Sequence, residues 1–458
     1  MADIQPPDAA ATAENAEIRQ RRGSGARQNL QVPQEDVRPT SDESDMDALM
    51  QDEDRMERLM KSIPQDTGSL GTFADSLLEP LPPRWRNWVT RGIFSILMIT
   101  LFCIIVNRGA TWLMILVFAI QFKCFQEIIS IGLAVYRLYD FPWFRALSWY
   151  FLVTSNYFFF GESLIEYWAV VLRKDNFLHF LVAYHRLISF GLYCIGFVSF
   201  VLSLRKGYYM RQFSLFAWTH ISLLLIVSQS FFIIQNIFQG LIWFLAPVAM
   251  IICCDIMSYM FGFFWGKTPL IKLSPKKTWE GFIGGAFSTV VFGILLSLAL
   301  GGRPFFVCPV QDYQIDNTNC TIPLSFVPQE YAVPRPFSFV YKVLRKEPVI
   351  QIFPFVFHSI SLSLFASILG PFGGFFASGF KRAFKIKDFG DVIPGHGGLM
   401  DRFDCQLLMG TFVNVYIYTF IRIPNVSKLI NQILWLDPAD QIEAFNTLKE
   451  ELTKNGLL

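Results

Sequence analysis

The chain has 458 residues, 53% of them hydrophobic and 17% charged, and a mean hydropathy of +0.38. Soluble globular domains carry about 25% charged residues, and here the apolar residues gather in runs of about 20, enough to cross a hydrocarbon layer ~30 Å thick. These values exclude a soluble enzyme, a disordered chain and a disulfide-rich miniprotein. The lack of period-two alternation excludes a membrane β-barrel, leaving an all-α polytopic membrane protein as the expected fold class.

Residues 1–83 carry 17 acidic and 8 basic side chains, a net charge of −9 within a chain of +2, which leaves +11 on the remainder. They are rich in Pro, Gln, Ser, Asp and Arg and poor in aromatics. Such a segment buries too little apolar surface to offset its ordering entropy, so a disordered acidic tail is expected. No apolar core follows Met1, so no cleaved signal peptide is expected and the first membrane helix must direct insertion. The stretch Arg84 to Arg91, rich in Arg and Trp, suits a cytoplasmic interfacial anchor.

About nine spans follow, at roughly 92–107, 110–135, 146–163, 183–204, 213–233, 237–260, 279–300, 349–370 and 405–421. With the N-terminus in the cytoplasm, the cytoplasmic loops hold fourteen Lys and Arg and the opposite loops eight, five of them in one long loop where the charge bias is weak. The body of residues 84–425 thus reads as a transmembrane domain. Its positive charge fits ordinary topology, and it equally favours anionic partners such as phosphates or acidic lipid headgroups.

The long loop, 301–348, is expected to be lumenal. It contains Cys308, Cys320 and the sequon Asn319-Cys320-Thr321. A disulfide closing about 13 residues would stabilise it by ~3 kcal/mol; two free thiols and an unused sequon are the alternative. In the C-terminal segment 426–458, Asp437 and Pro438 read as N-cap and first residue of a helix. Ile442, Phe445, Leu448 and Leu452 give that helix one apolar stripe, so it lies on the membrane or packs on the body, on a side that the sequence leaves open.

Two polar segments interrupt the apolar body. The first, 261–278, is preceded by Asp255 in an apolar run, where a carboxylate is costly unless paired or solvated. Gly262 and Gly266 permit close approach. Lys267 follows Gly266, the pair Lys276 and Lys277 is a compact cationic site, Ser274-Pro275 breaks the chain, Thr278 can cap the next helix, and Glu280 stands at the edge of the segment. An ordinary basic loop with a glycine seam would account for most of this, but not for Asp255 and Glu280 at its edges.

The second, 371–404, packs five basic residues and four aspartates into the 27 positions from Ser378 to Asp404. Asp401 and Asp404, at i and i+3, share a helical face, as two oxygen ligands of Mg²⁺ would. Glycines around His396, including Gly397 and Gly398, let backbone approach phosphate oxygens. Lys381 and Arg382 can neutralise phosphate charge. No P-loop motif, zinc-spaced His/Cys cluster or Ser–His–Asp arrangement is present. What remains is acids for a divalent ion, bases for phosphates and a bilayer, which together point to phosphoryl or nucleotidyl transfer on a lipid phosphate.

The second segment resembles the signature of the phosphatidate cytidylyltransferases (CDP-diacylglycerol synthases), S-x-x-K-R-x4-K-D-x-G-D-x-x-P-G-H-G-G-x-x-D-R-x-D. Ser378, Lys381, Arg382, Lys387, Asp388, Gly390, Pro394, His396, Gly397, Gly398, Asp401, Arg402 and Asp404 all match. The first segment is similar to the family block D-x-x-A-Y-x-x-G-x-x-x-G-K followed by S-P-K-K-T-x-E-G-x-x-G-G, with Ser258 where Ala is common. The acidic tail and long loop resemble the animal endoplasmic-reticulum form. The resemblance implies transfer of the cytidylyl group of CTP to phosphatidic acid with Mg²⁺, giving CDP-diacylglycerol and pyrophosphate.

It further implies Asp401, Asp404 and Asp255 as metal residues, and Lys381, Arg382, Lys387, Asp388 and Arg402 as catalytic. Lys267, Ser274, Lys276, Lys277, Ser378, His396, Gly397 and Gly398 are the expected substrate contacts. A homodimer in the endoplasmic-reticulum membrane, with a cytoplasmic active site and no nucleic-acid partner, completes the expectation. A CTP-dependent lipid or polyprenol kinase, and a non-catalytic transporter or scaffold for anionic lipid, are the alternatives. No inverted repeat supports the transporter.

Overall fold

The computed structural model describes residues 83–136, 138, 142–172, 180–181, 184–310, 320, 322–332, 349–390, 392, 397–421, 429–430, 433–434 and 436–456. The expected tail, Asn319, Asp391, Pro394 and His396 lie outside the described residues, as do the side chains of Pro275 and Lys276.

Helices stand at each of the nine expected positions. In chain order they are α1 (Pro83–Arg108), α2 (Ala110–Val135), α3 (Pro142–Leu172), α4 (His185–Leu202), α5 (Tyr209–Phe238), α6 (Ile242–Trp265), α7 (Trp279–Leu300), α8 (Phe355–Ile368), α9 (Gly370–Ala383) and α10 (Met400–Tyr416), with α11 (Pro438–Lys454) after them. Among the described residues, six are long and apolar enough to cross a membrane: α2, α4, α5, α6, α7 and the continuous run α8–α9. The expected count of nine spans is thus not confirmed: among the described residues six helical runs qualify. α1 carries only a shorter apolar stretch, Gly92–Arg108, and α10 begins with the charged sequence Met400-Asp401-Arg402-Phe403-Asp404.

The expectation of a purely helical chain needs correction at two points. β1 (Pro269–Ile271) pairs antiparallel with β2 (Ser274–Thr278), and β3 (Gln329–Ala332) with β4 (Val349–Ile352). The first hairpin carries the Lys pair 276/277, so the first polar segment is an ordered turn of sheet. The second joins the long loop to the first residues of the span expected from 349, which are strand, so that the helix there begins only at Phe355; within the loop Cys308 and Cys320 form a disulfide with Cα atoms 5.9 Å apart.

Small residues set the closest helix pair. α6 and α7 approach along a seam in which a Cβ at Gly281 would lie 2.6 Å from the Ser258 carbonyl oxygen, and one at Gly285 would collide with the Ser258 hydroxyl. Only glycine allows backbones this near. Thr278 accepts the Gly281 amide at 3.2 Å and caps α7, as its position predicts. Gly285→Val is therefore expected to destabilise the fold by roughly 3 kcal/mol through overpacking. The readout is a lower melting temperature in detergent, against no loss for Gly92→Val, where nothing lies within 4 Å.

Three apolar cores hold the bundle. One joins α2, α3 and α5 around Phe125, Phe151 and Leu215, and it also receives Ile386 and Phe389 from the charged segment. A second joins α6, α8 and α10 around Trp243, Phe355 and Met409. The third joins α1, α2 and α5 and takes Leu407 from α10. α10 thus lies between two cores. Two of its polar contacts are made inside: the Asn236 amide donates to the Gly410 carbonyl at 2.8 Å, and the Asn414 amide donates to Asn236 Oδ1 at 3.1 Å. α11 has no buried residue and exposes Ile442, Phe445 and Leu448.

Candidate functional site

The second polar segment is half helix. α9 carries Ser378, Lys381 and Arg382, and ends where Lys385 adopts a left-handed φ of 54° and the Ile386 amide donates back to the Lys381 carbonyl at 3.0 Å. The chain then alternates: Lys385 and Lys387 are exposed, while Ile386 and Phe389 are buried. The two apolar side chains anchor a charged strap. Phe389 stacks on Phe380 with ring centroids 5.2 Å apart, and Trp218 of α5 lies 5.5 Å from Phe380.

Asp401 organises the strap. Its Oδ1 accepts Lys381 Nζ at 2.5 Å, and its Oδ2 accepts the amides of Phe389 at 2.9 Å and Gly398 at 3.2 Å. The pair is largely enclosed, with side-chain exposures of 19% for Lys381 and 7% for Asp401. The Lys381 ammonium also lies 5.7 Å from the Phe389 ring centre, within cation–π range. Both oxygens of Asp401 are thus engaged by protein donors.

Asp404, one turn on, is less committed. Its Oδ1 accepts the Cys405 amide at 2.7 Å, and Oδ2 faces the glycine at 374, where a Cβ would lie 3.6 Å away. A Cβ at Gly373 would come within 2.9 Å of the Asp404 carbonyl, so these glycines let α9 lie close against α10. Asp255 of α6 interacts electrostatically with Asp404, Lys277 and Arg402. Asp255 is exposed and Asp404 half-buried. Two like charges held near one another at an accessible position fit a divalent cation, which needs one or two carboxylates alongside substrate phosphates. Among the described residues, no three His, Cys, Asp or Glu side chains converge as a protein-only metal cage.

The remaining expected residues fall around this centre. Lys387 is exposed and pairs with Asp388 at 3.5 Å. A Cβ at Gly397, where φ is +80°, would sit 3.2 Å from the Asp388 carboxyl carbon, so only glycine passes comfortably there. Arg382 and Arg402 are exposed. The Ser378 hydroxyl donates to the Gly374 carbonyl at 2.8 Å within its own helix. Lys267 is exposed, and its amide, with that of Thr268, donates to Glu280, whose carboxylate also accepts the Thr268 hydroxyl at 2.8 Å. Glu280 thus clamps the chain leading into the hairpin that bears Ser274 and Lys277.

One site residue escapes the sequence reading. Glu127 of α2 is buried, and its two oxygens accept the amides of Leu399 and Met400, both at 2.9 Å, at the start of α10. A carboxylate inside an apolar span was the available signal.

An open apolar groove of about 480 Å³ adjoins these charges, lined by Leu273, Phe372, Phe376, Gly379 and Phe380 among others. Helix α9 therefore carries cations at its end and a greasy cleft along its side.

Residues 89–420 match the sequence model of the cytidylyltransferase family. The chain is 79% identical to a phosphatidate cytidylyltransferase of Caenorhabditis elegans, covering 99% of each chain. It is 54% identical to phosphatidate cytidylyltransferase 1 of Homo sapiens, over 92% of this chain and 91% of that one. Phosphatidate cytidylyltransferase 2 of Mus musculus is 52% identical, over 93% of this chain and 97% of its own.

Proposed function

Because this chain belongs to the cytidylyltransferase family, we propose that the charged centre between α6, α9 and α10 transfers the cytidylyl group of CTP to phosphatidic acid. An oxygen of the lipid phosphate bonds to the α-phosphorus of CTP, the bond from that phosphorus to the bridging oxygen breaks, and pyrophosphate departs with its electron pair. The nucleophile is already anionic, so no strong base is required. The obstacle is repulsion between two polyanions, and fixed cations remove it.

The observation that carries this reading is the Lys381–Asp401 tie within the signature strap. It fixes an ammonium and two loop amides at the C-terminal end of α9. Lys381, Arg382, Lys387 and Arg402 clamp phosphates. Lys267, Ser274, Lys276 and Lys277, on and beside the β1–β2 hairpin, hold the nucleotide or the lipid phosphate. Asp388 orients Lys387 and the turn at Gly397, and Ser378, His396, Gly397 and Gly398 complete the substrate contacts. Asp255 and Asp404 are the residues that would hold Mg²⁺; bound there, the ion neutralises phosphate charge and polarises the α-phosphoryl group. Asp401 supports that centre through Lys381. The apolar cleft beside α9 suits a substrate that arrives from the bilayer.

The enzyme resides in the endoplasmic-reticulum membrane as a homodimer, with its N-terminus and active site on the cytoplasmic side, where CTP is found. The Cys308–Cys320 disulfide supports a lumenal position for the long loop, since disulfides persist in oxidising compartments.

Labelled CTP tests the reaction. With phosphatidic acid in detergent micelles, label from the α-phosphate is expected in the lipid fraction and label from the γ-phosphate in pyrophosphate. Transfer of γ-label to lipid would identify a lipid kinase, and no transfer from either position would leave a binding protein.

A further inference from the structure

We infer that Glu127 is the positioning residue of the active centre, a buried carboxylate that seats the start of α10 and through it Asp401, Lys381 and Asp404. The inference rests on the cytidylyltransferase reading for its kinetic half only. Leu399, the residue before α10, offers no side-chain cap. The free amides at a helix start must find partners, and an anion there is favoured by the helix dipole. Glu127 supplies both, from a helix 272 residues distant in sequence: Oε1 accepts Leu399 N and Oε2 accepts Met400 N, each at 2.9 Å.

The same carboxylate shapes the strap. A Cβ at Gly390 would lie 3.0 Å from Glu127 Oε1. At Gly398 a Cβ would meet Glu127 Oε2 at 2.9 Å and Asp401 Oδ2 at 3.1 Å. Gly398 therefore passes between two carboxylates, giving its amide to Asp401 while the next two amides go to Glu127. These bonds form one continuous chain: Glu127, the 398–400 backbone, Asp401, Lys381. Glu127 is buried and both its oxygens are taken by backbone amides, so it acts on the reaction through the geometry it fixes. Displacing α10 by an ångström would misalign Asp401 and Asp404 together, a disturbance worth up to roughly a hundredfold in rate.

The test uses the full-length protein in detergent, with Glu127→Gln and Glu127→Ala. Gln keeps the shape but turns an NH₂ toward one of the two amide donors; Ala removes both acceptors. The expected result is a fall in kcat of roughly 30- to 100-fold with KM for CTP changed less than threefold. Faster hydrogen exchange should accompany it in peptides spanning 388–400, with the rest of α2 and α5 exchanging as in the unmodified protein. Unchanged kcat in Glu127→Gln would overturn the inference. So would exchange accelerated equally throughout α2 and α5, or failure of both variants to fold, since either outcome makes Glu127 a general stability residue. If the unmodified protein forms no CDP-diacylglycerol, the functional reading falls, while the exchange pattern still decides whether Glu127 seats the strap.

Discussion

Asp401→Asn is expected to lower kcat roughly a thousandfold while the protein still inserts and purifies as a monodisperse species. The amide of Asn can accept from one partner on one side but presents an NH₂ on the other, and it carries no charge for the Lys381 ammonium. Lys381 is then released from the 2.5 Å contact that aims it, and the amides of Phe389 and Gly398 lose their shared acceptor. Breaking one side of an enclosed ion pair costs roughly 3 kcal/mol, most of it from stranding the other charge. A double-mutant cycle with Lys381→Met separates this contribution from the catalytic one. The stability losses of Asp401→Asn and Lys381→Met should be strongly non-additive, because the second change removes the stranded charge, while activity stays roughly a thousandfold or more below the unmodified enzyme in all three variants. Rates near those of the unmodified enzyme in Asp401→Asn would refute the central place given to this tie.

The helices and the identity of the charged centre were legible in the chain because their signals are local. Apolar runs of about 20 residues mark helices wherever they occur, and Thr278 before Trp279 marks a cap that the folded chain uses. Cys308 and Cys320 stand apart from the apolar runs, which made a disulfide one of two open readings, and the fold pairs them. The β1–β2 hairpin was not legible, since Ser274-Pro-Lys-Lys-Thr278 shows no apolar alternation to mark it as the partner of Pro269–Ile271. The split between Asp401 and Asp404 was hidden for a different reason. Their i, i+3 spacing places them on one face, but which of them finds a lysine depends on α9 folding back beside α10. Glu127 was visible in principle. It satisfies the same rule that singled out Asp255, a carboxylate inside an apolar span, and its partners are backbone amides that no side-chain pattern displays.

Asp404→Asn and Asp255→Asn should differ from Asp401→Asn in a way that separates an ion-holding carboxylate from a structural one. Asp255 and Asp404 interact with each other as like charges, and neither is saturated by protein donors in the manner of Asp401. If they hold Mg²⁺, removing one charge weakens the ion's site and leaves the strap in place. Each variant should lose at least about a hundredfold in rate at low-millimolar Mg²⁺. Part of that loss should return as Mg²⁺ is raised or replaced by Mn²⁺, because the missing affinity is restored by mass action. Asp401→Asn should gain nothing from added metal, since its defect lies in the position of Lys381 and of the Phe389 and Gly398 amides. Chelation with EDTA should silence the unmodified enzyme reversibly. The decisive measurement is the metal concentration giving half-maximal rate. It should rise at least tenfold in Asp404→Asn and Asp255→Asn and stay put in Asp401→Asn. A shift confined to Asp401→Asn would return the ion to that residue and assign Asp255 and Asp404 to positioning the cations around it.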